Sequence, residues 1–270
     1  MIESNTVVLT IHNKEKTISQ IVSGILSTVS KQTSTLVCVL DGCTDETEAV
    51  LKDTIKSLNT DISIQYVYTD DVWETLANNA GLRTVETPYA TIIQDDMLIR
   101  EKFWDRKLLS VFKNRNIFAV SGRTAHDFLI KEGQIEFINL IGREYPLGST
   151  SLISKLVTKF INFFQTFWIY RYISPFGIRL TANRGPLVLD MKVVKDLNYF
   201  DEAFAPFELD DVDLCCRAKK RVGLSASAYP IDYLEIGGSK ATSSISSETS
   251  ASAIKKNTTL IIERHADLVS

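Results

Sequence analysis

No stretch of about 18 uninterrupted apolar residues occurs in the 270-residue chain, so a membrane-spanning helix is not expected. Cysteine is scarce. The four present, Cys38, Cys43, Cys215 and Cys216, include an adjacent pair and show no CxxC spacing. That speaks against a disulfide framework and for a reducing compartment. Cys38 lies in a strand-like run, where a thiol packs as a small hydrophobe. Charge of one sign is wanting too: 30 Lys and Arg against 33 Asp and Glu give a net charge of −3. The balance is neither basic enough to suggest a nucleic-acid partner nor acidic enough to suggest a disordered tail. Met1-Ile2-Glu3-Ser4-Asn5 runs straight into a strand without a basic region or an apolar core. No secretory leader, and hence a cytoplasmic location, is expected. No GxGxxG follows any predicted strand, which disfavours a dehydrogenase. Asn13-Lys14-Glu15-Lys16 also lacks the glycines that a nucleotidyltransferase needs to hold a triphosphate.

What is present is an alternation. Apolar content of 44% fits an ordinary globular protein, large enough for one α/β domain or a domain with a modest appendage. Strands are predicted at Val7–Ile11, Leu36–Leu40, Ile62–Tyr68 and Tyr89–Ile93, with helices over Thr17–Ser30, Thr44–Leu58 and Trp73–Thr84 between them. Ile18, Ile21, Val22, Ile25 and Val29 share one helix face. Near-continuous apolar strands linked by helices predict a mostly parallel central sheet flanked by helices on both faces. The second half is less regular: a helix over Phe103–Phe112, strands at Ile117–Ser121, Pro186–Asp190 and Gly223–Tyr229, and helices over Glu208–Arg221 and Ala253–Ala266. Residues 239–252 are Ser/Thr-rich and read as a loop. No internal repeat and no clear boundary between two domains is found.

Two acidic groups carry the chemistry. Phe207-Glu208-Leu209-Asp210-Asp211-Val212-Asp213 places three aspartates within four positions at the start of a predicted helix. Like charges so close repel, so a fold keeps them together only where a cation or proton gains. The positive end of the helix dipole offers a bland alternative. The preceding Phe200, Phe204 and Phe207 would wall a pocket, in which an aspartate can deprotonate a hydroxyl nucleophile. Earlier, Gln94-Asp95-Asp96 ends an apolar strand, where open α/β sheets bind ligands. Hard divalent ions take one or two carboxylates plus substrate phosphates and water; a solvated acidic loop is the alternative. Asp41-Gly42-Cys43-Thr44-Asp45 follows the second strand, and Asp41 either accepts hydrogen bonds from a base or ribose edge or only shapes the turn. His12-Asn13 closes the first strand at the same edge. Asn78-Asn79-Ala80-Gly81 either reaches a ligand or punctuates a helix end.

In this order, these motifs with Arg184-Gly185-Pro186 resemble a family-2 inverting glycosyltransferase of the GT-A fold, over about residues 6–230. The resemblance implies a single GT-A domain over 1–270. It has a nucleotide-sugar half (1–122), an acceptor half (123–238) with an aromatic insertion at 143–180, and a tail of loop and closing helix (239–270). It implies sugar transfer from a nucleotide-diphosphate donor, most commonly a UDP-sugar, to a hydroxyl of a glycan or lipid-linked acceptor, with Mn²⁺ or Mg²⁺ as cofactor. It assigns Asp211 as general base with Asp210 shaping the acceptor site beside it. Thr10, His12, Asn13, Asp41, Asn79, Asp95 and Arg184 would bind the nucleotide sugar, and Asp96 the metal. Three departures stand out. Leu40-Asp41-Gly42-Cys43 is one carboxylate short of the family's Asp-Asp-Gly-Ser, and Asn78 replaces an Arg. Glu235 stands where relatives carry a His before Gly-Gly-Ser, so either Glu235 is a third metal ligand or that ligand is missing. A catalytically degenerate domain that binds nucleotide or glycan, or a nucleotidyltransferase, is the alternative.

The segment Ser151–Ile173 has no counterpart in the shared core. Lys155 and Lys159 lie on one side of a helical wheel and Leu156, Phe160, Phe163, Phe164 and Phe167 elsewhere. Such a helix either makes peripheral membrane contact, bringing the enzyme to a lipid-linked acceptor, or packs on the protein or forms a homodimer.

Overall fold

A computed structural model describes residues 4–142, 177–236 and 247–269. The predicted aromatic segment 151–173 lies outside the described residues, as do 239–246 of the predicted loop. The first half alternates strand and helix: β1 (Asn5–Ile11), α1 (Ile18–Thr28), β2 (Thr33–Asp41), α2 (Thr47–Leu58), β3 (Ser63–Thr69), α3 (Trp73–Arg83) and β4 (Tyr89–Gln94). Then come β5 (Met97–Ile99), α4 (Trp104–Leu109), β6 (Ile117–Ser121), β7 (Thr124–Lys131) and β8 (Gln134–Gly142). The remainder comprises β9 (Ile178–Arg179), β10 (Thr181–Ala182), β11 (Leu187–Asp190), α5 (Met191–Asp196), α6 (Asp210–Val222), β12 (Ser225–Ala228), β13 (Tyr233–Glu235) and α7 (Ser247–His265). Residues 247–252, expected as loop, form the first turns of α7.

The main sheet runs β3-β2-β1-β4-β11-β6-β12-β9. β1 pairs in parallel with β2 and β4, and β2 with β3; β11 enters antiparallel between β4 and β6. Both faces are covered, as the unbroken apolar strands predict. Val7, Leu9 and Ile11 of β1 pack with Ile18, Ile21 and Ile25 of α1. Val8 points to the opposite face, against Ala77 and Leu82 of α3. Gly81 is what lets α3 lie so close: a Cβ there would meet Val8 Cγ1 at 2.5 Å and Val39 Cγ2 at 2.7 Å. A third apolar group, Phe128, Phe204, Val212, Cys216 and Ile261, seats α7 against α6.

The β7–β8 hairpin was not expected from the sequence. Its two-residue turn, Glu132-Gly133, has positive φ at both positions, the primed-turn geometry usually signalled by Asn-Gly or Asp-Gly. β8 is mostly exposed, which erases the apolar alternation a strand normally shows.

Candidate active site

Register places the ends of β1, β2 and β4 together, with Thr10 opposite both Val39 and Gln94. Beyond this edge lies a cavity of about 200 Å³ lined by Thr10, His12, Asp41, Trp73, Glu74, Gln94, Asp95, Asp96, Phe207 and Glu208 among others. Asp95 Oδ2 accepts from the main-chain N–H of His12 at 2.8 Å, and the buried Lys14 places its Nζ 3.4 Å from Oδ1. Burial pushes the Asp95 carboxyl up to about 6, with Lys14 opposing the rise. Burial also raises Asp96, opposed by Lys14 and reinforced by Glu235. Glu235 reaches Asp96 because β13 pairs with β5, setting Glu235 opposite Met97, and Ile236 N–H donates to the Asp96 carbonyl at 2.7 Å.

Other expected donor-side residues serve the frame. Asp41 is buried, and its carboxylate accepts from Thr69 Oγ1 (2.7 Å), Val72 N (2.8 Å) and Trp73 N (3.0 Å). These bonds hold the approach to α3, where Asp71 and Trp73 adopt positive φ, so Asp41 shapes a turn while lining the cavity. Asn13 Oδ1 accepts from Thr44 N at 2.8 Å, tying the loop after β1 to that after β2. Asn79, expected to bind the donor, is fully buried, and its amide holds the Phe200 main chain by N–H at 3.1 Å and C=O at 2.9 Å.

On the opposite side α6 opens with Asp210. This carboxylate is completely buried and accepts from Thr75 Oγ1, Arg184 Nη1 and Asp211 N, each at 2.9 Å. Arg184 also lies 3.3 Å from Glu74. Its guanidinium, expected to contact the donor, is buried between two carboxylates. Burial alone would lower its pKa, but Asp210 and Glu74 raise it instead. Asp211 is half-buried; its Oδ2 accepts from Arg184 N at 3.1 Å and its Oδ1 from Val212 N at 2.8 Å. The cavity lining stops at Glu208 and does not include Asp211. Glu74 links the two acidic groups: it lines the cavity with Asp95 and Asp96, accepts from Gln94 Nε2 at 2.7 Å, and feels both Asp210 and Asp211. Burial pushes Glu74 up to about 7, moderated by Arg184 and reinforced by the two aspartates.

Sequence reasoning missed Glu74 and Trp73. Neither sits in a recognisable motif, and their role follows from the turn that Asp41 holds. Of the three phenylalanines expected to wall the pocket, only Phe207 lines it; Phe200 and Phe204 are core. Phe207 faces Trp73 with ring centroids 6.4 Å apart.

Among the described residues, the His/Cys/Asp/Glu atoms that converge to within 4.8 Å belong to His12, Asp41 and Asp71, not to Asp96 and Glu235. The His12 group is a hydrogen-bonded turn. His12 Nδ1 lies 2.6 Å from the Asp41 carbonyl, which only accepts, so Nδ1 carries the proton and Nε2, 3.2 Å from Asn13 Nδ2, is the nitrogen left with a lone pair. Asp95, Asp96 and Glu235 offer oxygen donors of the kind a hard cation takes, and Asp96 repels both Asp95 and Glu235, although their atoms do not converge as closely.

The architecture is that of GT-A glycosyltransferases, as comparison with solved structures shows. The mannosyltransferase PcManGT from Pyrobaculum calidifontis, solved with GDP-Man and Mn²⁺, superposes with a TM-score of 0.56 at 15% identity, over 84% of this chain and 55% of that one. Glucosyl-3-phosphoglycerate synthase from Mycobacterium tuberculosis, with Mn²⁺, UDP and phosphoglyceric acid, gives 0.56 at 13% identity over 95% and 78%. S. aureus TarS 1–349 with UDP gives 0.54 at 14% identity over 85% and 59%. This chain thus spans little more than half of two of these three. No curated protein matches the sequence significantly. The profile described as glycosyl transferase family 2 matches residues 6–173, more than half of the chain. The chain belongs to glycosyl transferase family 2. No described helix is long and apolar enough to cross a membrane.

Proposed function

We propose that the protein moves a sugar from a nucleotide-diphosphate donor, a UDP-sugar being favoured, to a hydroxyl of a glycan or lipid-linked acceptor, with inversion at the anomeric carbon. The observation that carries this reading is the bridging of two remote acidic groups by Glu74 at the carboxyl edge of β1, β2 and β4. The solved relatives named above hold UDP or GDP-Man, which supports the donor class.

Asp96, with Asp95 and Glu235 nearby, would hold Mn²⁺ or Mg²⁺, which would supply positive charge against the diphosphate leaving group. The buried Lys14 adds a fixed positive charge at the same rim. Thr10 and His12 line the floor on the nucleotide side, and Trp73 and Phe207 form an aromatic wall. Asp211 takes the proton of the acceptor hydroxyl as it attacks; the Arg184 N–H on Oδ2 fixes its aim. Asp210 stays buried and, through Arg184, sets the start of α6.

Donor hydrolysis and transfer, measured with and without Mn²⁺, test the proposal. Asp211→Asn should lower kcat by about 10²–10⁴-fold while UDP affinity is retained. Unchanged turnover in that variant removes Asp211 as the base. UDP binding by a wild type that turns over no donor would leave a nucleotide-binding module instead.

A further inference from the structure

We infer that Asn257, on α7 and outside the segment that matches the family, is a positioning residue for the transfer site. Its side chain is completely buried, and Nδ2 lies 2.8, 2.7 and 2.9 Å from the main-chain oxygens of Phe204, Phe207 and Glu208. Three carbonyls accept from one amide group, so the orientation is fixed: an oxygen there would face only acceptors. Its Oδ1 has no partner among the described residues, a cost borne for the sake of the donors.

The segment held this way is the one that matters. Glu208 and Leu209 both have positive φ, a conformation that residues with a Cβ adopt only where neighbours over-determine it. That double reversal turns the Phe207 and Glu208 carbonyls towards α7 and their side chains to the cavity, immediately before Asp210 and Asp211. From the other side Thr75 N–H donates to the Pro206 carbonyl at 3.2 Å. Further contacts dock α7 around the same loop: Lys256 Nζ to the Ala205 carbonyl at 2.7 Å, Arg264 to Asp201 at 2.7 Å, and His265 Nε2 to Asp213 at 2.9 Å. Asn257 thus sets the path of the aromatic wall and the entry of the helix that carries the proposed base.

The kinetic arm of the test rests on the proposed transfer; the exchange arm does not. In Asn257→Ala, kcat should fall by about 10–100-fold, as expected for slight misplacement of a reacting group. UDP affinity should fall less than kcat, because the donor floor on β1 and β2 is untouched while only the Phe207 wall shifts. Asn257→Ser, which keeps one shorter donor, should lie between, and it replaces the alanine variant if that does not fold. Ile261→Ala, on the same helix in the apolar group under Phe204, serves as a packing control that leaves the three carbonyls bonded. Hydrogen exchange across residues 204–213 should quicken in the Asn257 variants and not across 5–94. Retained kcat in both Asn257 variants, or an equal kcat loss in Ile261→Ala at matched stability, overturns the positioning role. Unchanged exchange across 204–213 overturns the clamp itself, even if no nucleotide sugar proves to be a substrate.

Discussion

Glu74→Gln should make the protein more stable at pH 8 and leave it nearly unchanged at pH 4.5. The Glu74 carboxyl rises from the ordinary 4.5 to about 7, burial being the main cause and Arg184 only partly compensating. Between those two pH values the folded state holds a proton that the unfolded chain has released, so stability falls as pH climbs through this window. A rise of that size is worth about 3 kcal/mol. The side chain is 26% exposed on the cavity side, so solvent screening trims the expected gain to roughly 2 kcal/mol. Gln94 and Arg184 use different oxygens of Glu74, so glutamine keeps an acceptor for one of them, turns its NH2 towards the other, and removes the buried negative charge. Urea denaturation of wild type and variant at pH 4.5, 6 and 8 reads the effect directly. The two curves should meet at the acid end and diverge steadily above it. A variant destabilised equally at all three values would refute the reasoning, because the Arg184 ion pair would then outweigh the penalty of burying the charge.

Lys14→Met should cost about 2 kcal/mol at pH 8 by leaving Asp95 and Asp96 without their buried cation, read by chemical denaturation. That loss should shrink as pH falls towards about 6, because without Lys14 the Asp95 carboxyl takes up its proton at a higher pH than in the wild type. Gly81→Ala forces a methyl against two β-branched side chains and should cost about 1–3 kcal/mol, seen as a lower Tm. UDP with Mn²⁺ at about 100 times Kd should stabilise the fold by about 2.7 kcal/mol in a thermal-shift assay. Asp96→Asn should abolish the part of that shift that depends on Mn²⁺.

The first half of the fold was legible because each of its elements is declared by neighbours in sequence. β1 and β2 are buried on both faces and read as unbroken apolar runs; α1 repeats Ile18, Ile21, Val22 and Ile25 on one face. The β7–β8 hairpin was not, since its turn lacks Asn-Gly and its outer strand is exposed. In the site, Asp95 and Asp96 were visible because they end an apolar strand. The bonds that decide what a side chain is free to do were invisible. Asn79 is taken up by Phe200, 121 positions away, and Asp210 by Thr75, 135 positions away. Asparagine and arginine look alike in sequence whether they face a ligand or another residue, and only the fold separates the two.

β11 has a bearing on how the molecule can be dissected. Because residues 187–190 lie between β4 and β6, the two halves are interleaved like fingers of clasped hands, and no cut near residue 122 parts them cleanly. A fragment ending there would bare the hydrogen-bonding flank of β4 and invite self-association. Exchange between relatives is therefore better done at the loops of the sheet edge than by splicing halves.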